Sequence, residues 1–374
     1  MQSLETQYIS LFRSLVLNTS LRNEIPLIKK EYTTPLFWDF LAWNRIIPLL
    51  YHRISQQNLK ESFPEAFMVR LKALQQKSIL HSLQMEGVIK EVISLLRKEN
   101  IQPFLLKGIA LAFAVYENPA LRPMLDIDLL FTGDGQMRAH EILKAKGSRD
   151  MYAQESKHTM GLWQHIPPVQ YKNVIIELHS HIAAAYEPGF LPLEQVVENP
   201  DIITMGEHSC FALNPEMQVY HLLTHMHKHV LSRYSRLIWL ADLHLYLTRH
   251  QHTFDWNKFW KLAETTGLTP CFEKYLRLLK NVLNTQLPIS ENDEHYAEEF
   301  LGICRRIVAG ENTIGTMGMM KKLVTTRQKI LFLKGKLFPS VEYVKRKFNI
   351  KNRNKAIMYY SVLYMEYLRK LFKT

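Results

Sequence analysis

Two aspartates, Asp126 and Asp128, interrupt the apolar run RPMLDIDLLF that spans Arg122 to Phe131. A carboxylate set among buried aliphatic side chains is costly unless a positive charge compensates it. In an extended strand alternate side chains share a face, so the two acids point the same way with Cα atoms ~7 Å apart, while Leu125, Ile127 and Leu129 face the core. Carboxylates at that spacing converge on one hard cation. Magnesium takes oxygen ligands and is commonly held by one or two carboxylates together with substrate phosphates, which makes it the expected compensating charge. The competing reading is a solvated edge strand whose acids face water or pair with Lys or Arg, and a DxD alone does not choose between the two.

A second segment, NVIIELHSH, bears on the choice. Alternation puts Ile175, Glu177, His179 and His181 on one face and Val174, Ile176 and Leu178 on the other. If this strand neighbours DIDLL, Glu177 supplies a third carboxylate, and the metal pair used in phosphoryl-type transfer, ~3.5–4 Å apart, can be held. His179 reads either as a structural histidine or as a substrate contact.

The elements that would position these groups follow from periodicity and turn signals. Residues 1–100 carry helical periodicity, clearest in LHSLQMEGVIKEVISLLRKEN, and form a helical N-terminal region. Residues 101–185 change to short apolar runs: a strand over Pro103–Leu106, a helix opened by Gly108 and ended by Asn118-Pro119, and the DIDLL strand. A Thr132–Gly135 turn then leads into a helix closing near Gly147. Strands follow over Leu162–Ile166 with Val169–Tyr171, and over Val174–His181, the last two joined as a hairpin around Lys172-Asn173. Pro167-Pro168 marks a bulge or edge. Residues 186–320 read as a helical domain and 321–374 as a basic helical tail. The expected class is α+β, a small mixed sheet with flanking helices plus N- and C-terminal helical regions.

The blocks FLLKGIAL, VYENPALRPMLDIDLLF and VIIELHSHI together resemble the uncharacterised nucleotidyltransferase family of the DNA polymerase β-like superfamily. The similarity runs on through His225, Lys228, His229 and Asp242 and covers roughly residues 30–300. It implies a nucleotidyltransferase fold in which Asp126 and Asp128 bridge two Mg²⁺ (or Mn²⁺) ions. Glu177 would bind the catalytic ion and receive the acceptor proton. The implied reaction moves a nucleoside monophosphate from an NTP such as ATP to an acceptor, with release of pyrophosphate; small molecule, RNA and protein acceptors all stay open. An alternative keeps the fold as a catalytically inactive nucleotide- or RNA-binding module. Two positions depart from the superfamily's usual pattern: Lys107-Gly108 stands where Gly-Ser is common, and Glu177 where Asp is. Gly108 still permits close backbone approach, the helix start offers N–H groups to a phosphate, and Lys107 adds a charge. Arg122 is a candidate phosphate ligand or a structural ion-pair partner.

In HLLTHMHKHV, His221, His225 and His229 recur at four-residue steps along one helical stripe. Zinc binding is one reading, but neither HExxH nor a Cys partner accompanies it. Packing is a second, and substrate contact through His225, Lys228 and His229 a third, with Asp242 orienting a histidine. Cys210, Cys271 and Cys304 are too few and too scattered for a disulfide framework and read as buried apolar residues. No apolar run is long enough for a bilayer span and no signal-peptide layout opens the chain, so a cytoplasmic location is expected. The net charge of +12 is concentrated: residues 321–374 hold fifteen Lys+Arg against Glu342 and Glu366, while the rest of the chain is nearly neutral. That tail is a candidate surface for nucleic acid, an acidic protein or an anionic membrane.

Overall fold

The computed structural model describes residues 4–153, 156, 162–185, 187–231, 235–289, 326–350 and 352–371. The chain divides into two compact units, each built from three separate segments. One comprises Val88–Leu105, Leu125–Glu198 and Asn312–Thr374 and carries the strands predicted around the acids; the other comprises Met1–Gly87, Leu106–Met124 and Asn199–Glu311 and is mostly helical.

The sheet unit contains β1 (Phe104–Leu105), β2 (Asp126–Leu130), β3 (Arg149–Asp150), β4 (Val169–Tyr171) and β5 (Val174–His179). Its strands lie in the order β3-β4-β5-β2-β1. β2 and β5 are parallel and the remaining pairs antiparallel. Parallel neighbours need a long crossover. It is supplied by the Gly135–Ala145 helix and the β3–β4 pair, which bring the chain back to lay β5 beside β2. Ile127, Leu129 and Leu130 of β2 and Val174, Ile176 and Leu178 of β5 are buried, and Gln136 Nε2 donates to the Leu178 carbonyl at 2.7 Å, pinning the crossover helix to the sheet.

The hairpin predicted around Lys172-Asn173 forms, with Tyr171 opposite Val174. Both turn residues have positive φ, +48° and +63°, the conformation a two-residue hairpin of primed type requires. Asn tolerates it readily; Lys172 is held there by an ion pair with Glu91 at 2.5 Å. The strand predicted over Leu162–Ile166 is reduced to a single bridge between His165 and His179. Pro167 and Pro168 remove two consecutive backbone donors, which stops a ladder from propagating. Leu125 departs from its expected place in the core and is 57% exposed, because pairing begins only at Asp126, opposite Ile175.

The tail segment of this unit forms helices Thr326–Leu337, Val341–Lys347 and Arg353–Leu371, the latter two sharing a small core of Val344, Ala356 and Leu363. The helical unit holds the helices Leu4–Val16, Ile25–Glu31, Pro35–Trp43 and Ile47–Gln56, and the Glu65–Lys98 helix as far as Gly87. Lys107–Ala114, Pro215–Leu231, Leu237–Arg249, Trp256–Thr265 and Thr269–Leu283 also belong to it. A hairpin of β6 (Asp201–Met205) and β7 (His208–Ala212) stands inside the stretch read as a helical domain. Its turn rests on Gly206 at φ +61°, and its alternation is short, burying only Ile203, Met205, Cys210 and Ala212. Cys210 is buried as expected and Cys271 is half-buried; Cys304 lies outside the described residues. No helix among the described residues is long and apolar enough to cross a membrane.

Candidate active site

The parallel pairing of β2 with β5 sets Asp128 directly beside Glu177. Because side chains alternate, residues in register on neighbouring strands project to the same face, so the two carboxylates are placed together by backbone pairing alone. His179, two residues after Glu177 on β5, occupies that face as well. Its Nε2 lies 2.9 Å from Asp128 Oδ1 and 3.2 Å from Glu177 Oε2. Ionised carboxylates only accept, so Nε2 is the protonated nitrogen in this arrangement and donates to both. Asp128 is 3% exposed and His179 is buried, while Glu177 is half-buried at the rim.

One ligand atom from each of Asp128, Glu177 and His179 lies within 4.8 Å of the others, the one such group of metal-capable side chains among the described residues. The two carboxylate oxygens suit a divalent cation, and in this arrangement His179 stands beside them as a hydrogen-bond donor. Asp126 begins β2 opposite Ile175, is half-buried, and stands outside this group.

Two residues join the neighbourhood without having been singled out from sequence. His165, bridged to His179, places its Nε2 3.9 Å from Glu177 Oε2, and its ring meets that of His179 edge-on at 5.1 Å. Its Nδ1 lies 2.8 Å from the Ile166 carbonyl, which fixes the ring. The Tyr152 phenol, about half exposed, is pushed up by its partial desolvation and by the nearby Glu177 charge. The sequence held a weak signal for His165, a polar residue just before Pro167-Pro168; it held none for Tyr152. His181 leaves the strand: β5 ends at His179, and the His181 ring stacks on Phe190 at 4.2 Å. Burial drives its pKa down to about 4, against an opposing pull from Glu194.

Elsewhere, in the helical unit, Lys107 opens its helix at φ +48°, a left-handed conformation that non-glycine residues rarely adopt. Gly108 follows in tight surroundings, where a Cβ would stand 3.2 Å from Arg122 Nη1 and 3.4 Å from Met124 Cβ. Arg122 is buried in a bidentate pair with Asp242: Nε to Oδ1 at 2.8 Å and Nη2 to Oδ2 at 2.7 Å. Its Nη1 donates to the Pro123 carbonyl, and the Tyr116 hydroxyl donates to Asp242 Oδ1 at 2.7 Å. Burial, then the Asp242 charge, push the Tyr116 phenol well above its ordinary range. Asp242 therefore orients Arg122 and Tyr116, where the sequence suggested a histidine.

In the Pro215–Leu231 helix the rings of His225 and His229 stand 4.4 Å apart, and Trp239 lies 5.1 and 5.2 Å from them. Both histidines are half-buried and Lys228 is exposed. The His221, His225 and His229 stripe does not form a metal-capable group, so the spacing that suggested zinc serves aromatic packing here.

The family whose model matches this chain, described as "Uncharacterised nucleotidyltransferase", matches residues 31–284, about two thirds of the sequence. The chain belongs to the uncharacterised nucleotidyltransferase family. That match takes in β1–β7, the Arg122–Asp242 pair and the histidine helix, so all the candidate residues of this nucleotidyltransferase fall inside it. Neither curated proteins nor solved structures give a match. Family membership supports nucleotidyl transfer as the general activity, and Asp128, Glu177 and His179 form a group that could hold a metal ion.

Proposed function

We propose that the protein transfers a nucleoside monophosphate from an NTP to an acceptor hydroxyl or phosphate, with release of pyrophosphate, at the face shared by β2 and β5. The observation that carries this reading is the in-register parallel pairing of Asp128 with Glu177, with His179 between their carboxylates. Asp128, Glu177 and, by its place two residues earlier on β2, Asp126 are the residues that would hold Mg²⁺ or Mn²⁺. The bound ion would supply charge neutralisation at the triphosphate and at the departing pyrophosphate.

The remaining work falls to the chain. The acceptor oxygen forms a bond to the α-phosphorus as the bond from that phosphorus to the bridging oxygen breaks, and pyrophosphate carries away the electron pair. Glu177, at the rim rather than in the floor of the site, is the carboxylate we assign to receive the acceptor proton. Asp128 is held by the His179 N–H and buried, which fixes its orientation before substrate arrives. Lys107 and Gly108, at the start of their helix, are our candidates for phosphate binding, through the helix N-terminus and one ammonium. Arg122 and Asp242 we assign to holding that helix start in place, since the guanidinium abuts Gly108 while clamped by Asp242. His225, Lys228 and His229 remain the candidates for contact with the base or acceptor.

The test is pyrophosphate release from each NTP with Mg²⁺ or Mn²⁺ across a panel of hydroxyl acceptors, RNA ends and proteins, comparing wild type with Asp128→Ala. Metal- and nucleotide-dependent release in the wild type, lost in the variant, is the expected result. Release that survives the substitution removes the site assignment. Nucleotide binding with no release under any condition would instead favour the inactive binding module.

A further inference from the structure

The tail segment of the sheet unit presents a surface that nucleotidyl transfer does not use. In the Thr326–Leu337 helix, Phe332 and Gly335 face inward and are buried. Ile330, Leu333 and Leu337 recur at three- and four-residue steps, share the opposite face and are exposed; Phe338 follows, exposed as well. By helical geometry Arg327 and Lys334 border this stripe on one side and Lys329 and Lys336 on the other. The Arg353–Leu371 helix repeats the design. Ala356 and Leu363 are buried, whereas Met358, Val362 and Met365, again at four- and three-residue steps, are exposed together with Ile357 and Tyr359.

Single exposed aliphatics are ordinary on a protein surface, but rows of them on two helices of one segment are not. The electrostatic setting is equally one-sided. Residues 321–374 carry fifteen Lys+Arg and two acids, and both acids are engaged by lysines, Glu342 with Lys345 at 3.0 Å and Glu366 with Lys347 at 2.7 Å. An apolar stripe bordered by cationic side chains with long aliphatic stems fits a surface that is apolar below and anionic above. The stems lie along the hydrocarbon boundary while the charges stay among headgroups. RNA would match the charge but not the stripes, because single-stranded nucleic acid is gripped through flat rings that stack on bases, and the stripes are built from Ile, Leu, Val and Met.

We propose that this tail docks the protein on an anionic lipid bilayer, through shallow insertion of the Ile330/Leu333/Leu337 and Met358/Val362/Met365 stripes. The protein lies on the surface and does not span it, in keeping with the absence of a spanning helix among the described residues.

Co-sedimentation of the full chain with vesicles tests this, using phosphatidylcholine alone and phosphatidylcholine mixed with phosphatidylglycerol. Binding to the mixed vesicles, weak binding to the neutral ones, and at least about tenfold weaker binding of Leu333→Glu with Val362→Glu are expected. These positions are exposed, so the variant keeps its fold, which circular dichroism checks, and its nucleotidyl transfer is unchanged. A second variant, Lys329→Glu with Lys334→Glu, lowers binding to the mixed vesicles while leaving the neutral ones nearly unaffected. Absence of binding to the mixed vesicles, equal binding to both kinds, or binding that the Leu333/Val362 variant retains would each overturn the proposal. So would RNA binding that the Leu333/Val362 variant abolishes in place of lipid binding.

Discussion

Two buried polar clusters show opposite ways of keeping a carboxylate inside a protein. In the helical unit one guanidinium answers one carboxylate: Arg122 grips Asp242 with two parallel hydrogen bonds, and Tyr116 adds a third donor. In the sheet unit two carboxylates, Asp128 and Glu177, meet on a single imidazole nitrogen. The first answers each charge with its opposite and serves to fix the chain around it. The second brings like charges together, an arrangement that raises the electrostatic cost of the site unless a cation enters. Buried charge alone does not mark function; the ratio and sign of the groups gathered does.

The comparison breaks most sharply under substitution. Asp128→Ala is expected to abolish nucleotidyl transfer, read as pyrophosphate release, while leaving the urea midpoint unchanged or raised, because one of two converging negative charges has gone. Arg122→Met should do the reverse to stability. It strands Asp242 in the interior and costs about 3–5 kcal/mol in urea unfolding, and pairing it with Asp242→Leu should restore most of the loss. A stable Arg122→Met protein would mean that the pair is not the fixed element described here.

Smaller effects sharpen the same contrast. His179→Ala removes the donor that orients both acids, and a fall in nucleotidyl transfer of about 10- to 100-fold is expected, with the fold retained. An unchanged rate would reduce His179 to packing. Gly108→Ala brings a Cβ against an Arg122 that Asp242 does not let move, so it should destabilise by roughly 1 kcal/mol despite the better helix propensity of Ala. In the Arg122→Met background the same change should become neutral or favourable.

A last, pH-linked effect concerns His181. Its folded pKa of about 4 lies below the ordinary 6.5, so the unfolded chain takes up the proton first as pH falls. Its contribution to stability is whole above 6.5 and is lost progressively between there and about 4. His181→Phe should flatten the acid limb of a pH–stability curve over that window, and an unaltered limb would contradict the burial.

What the sequence disclosed follows the range of the interactions. DIDLL and VIIELH were legible because strand alternation is a two-residue period, and neighbouring β2 and β5 then needed only one assumption, that the strands pair. His179 was visible on the right face but not its hold on both acids, which depends on side-chain geometry across two strands. Asp242 was detectable as a lone acid in the apolar helix WLADLHLYL. Its partner lies 120 residues earlier, and no local pattern connects the two. The β6–β7 hairpin was lost because five-residue strands with only partial alternation carry little periodic signal beside the long helix that follows. Leu125 was misplaced for a related reason, since periodicity fixes the face of a residue within a strand but not where pairing starts.

The central claim is that Asp128 and Glu177 gather to hold a divalent cation, and titrating the full chain with Mn²⁺ while following the free-ion electron paramagnetic resonance signal tests it most directly. Saturable binding in the wild type, weakened at least about tenfold by Glu177→Gln and untouched by the surface change Leu333→Glu, is the predicted result. Affinity identical in the wild type and Glu177→Gln would contradict it.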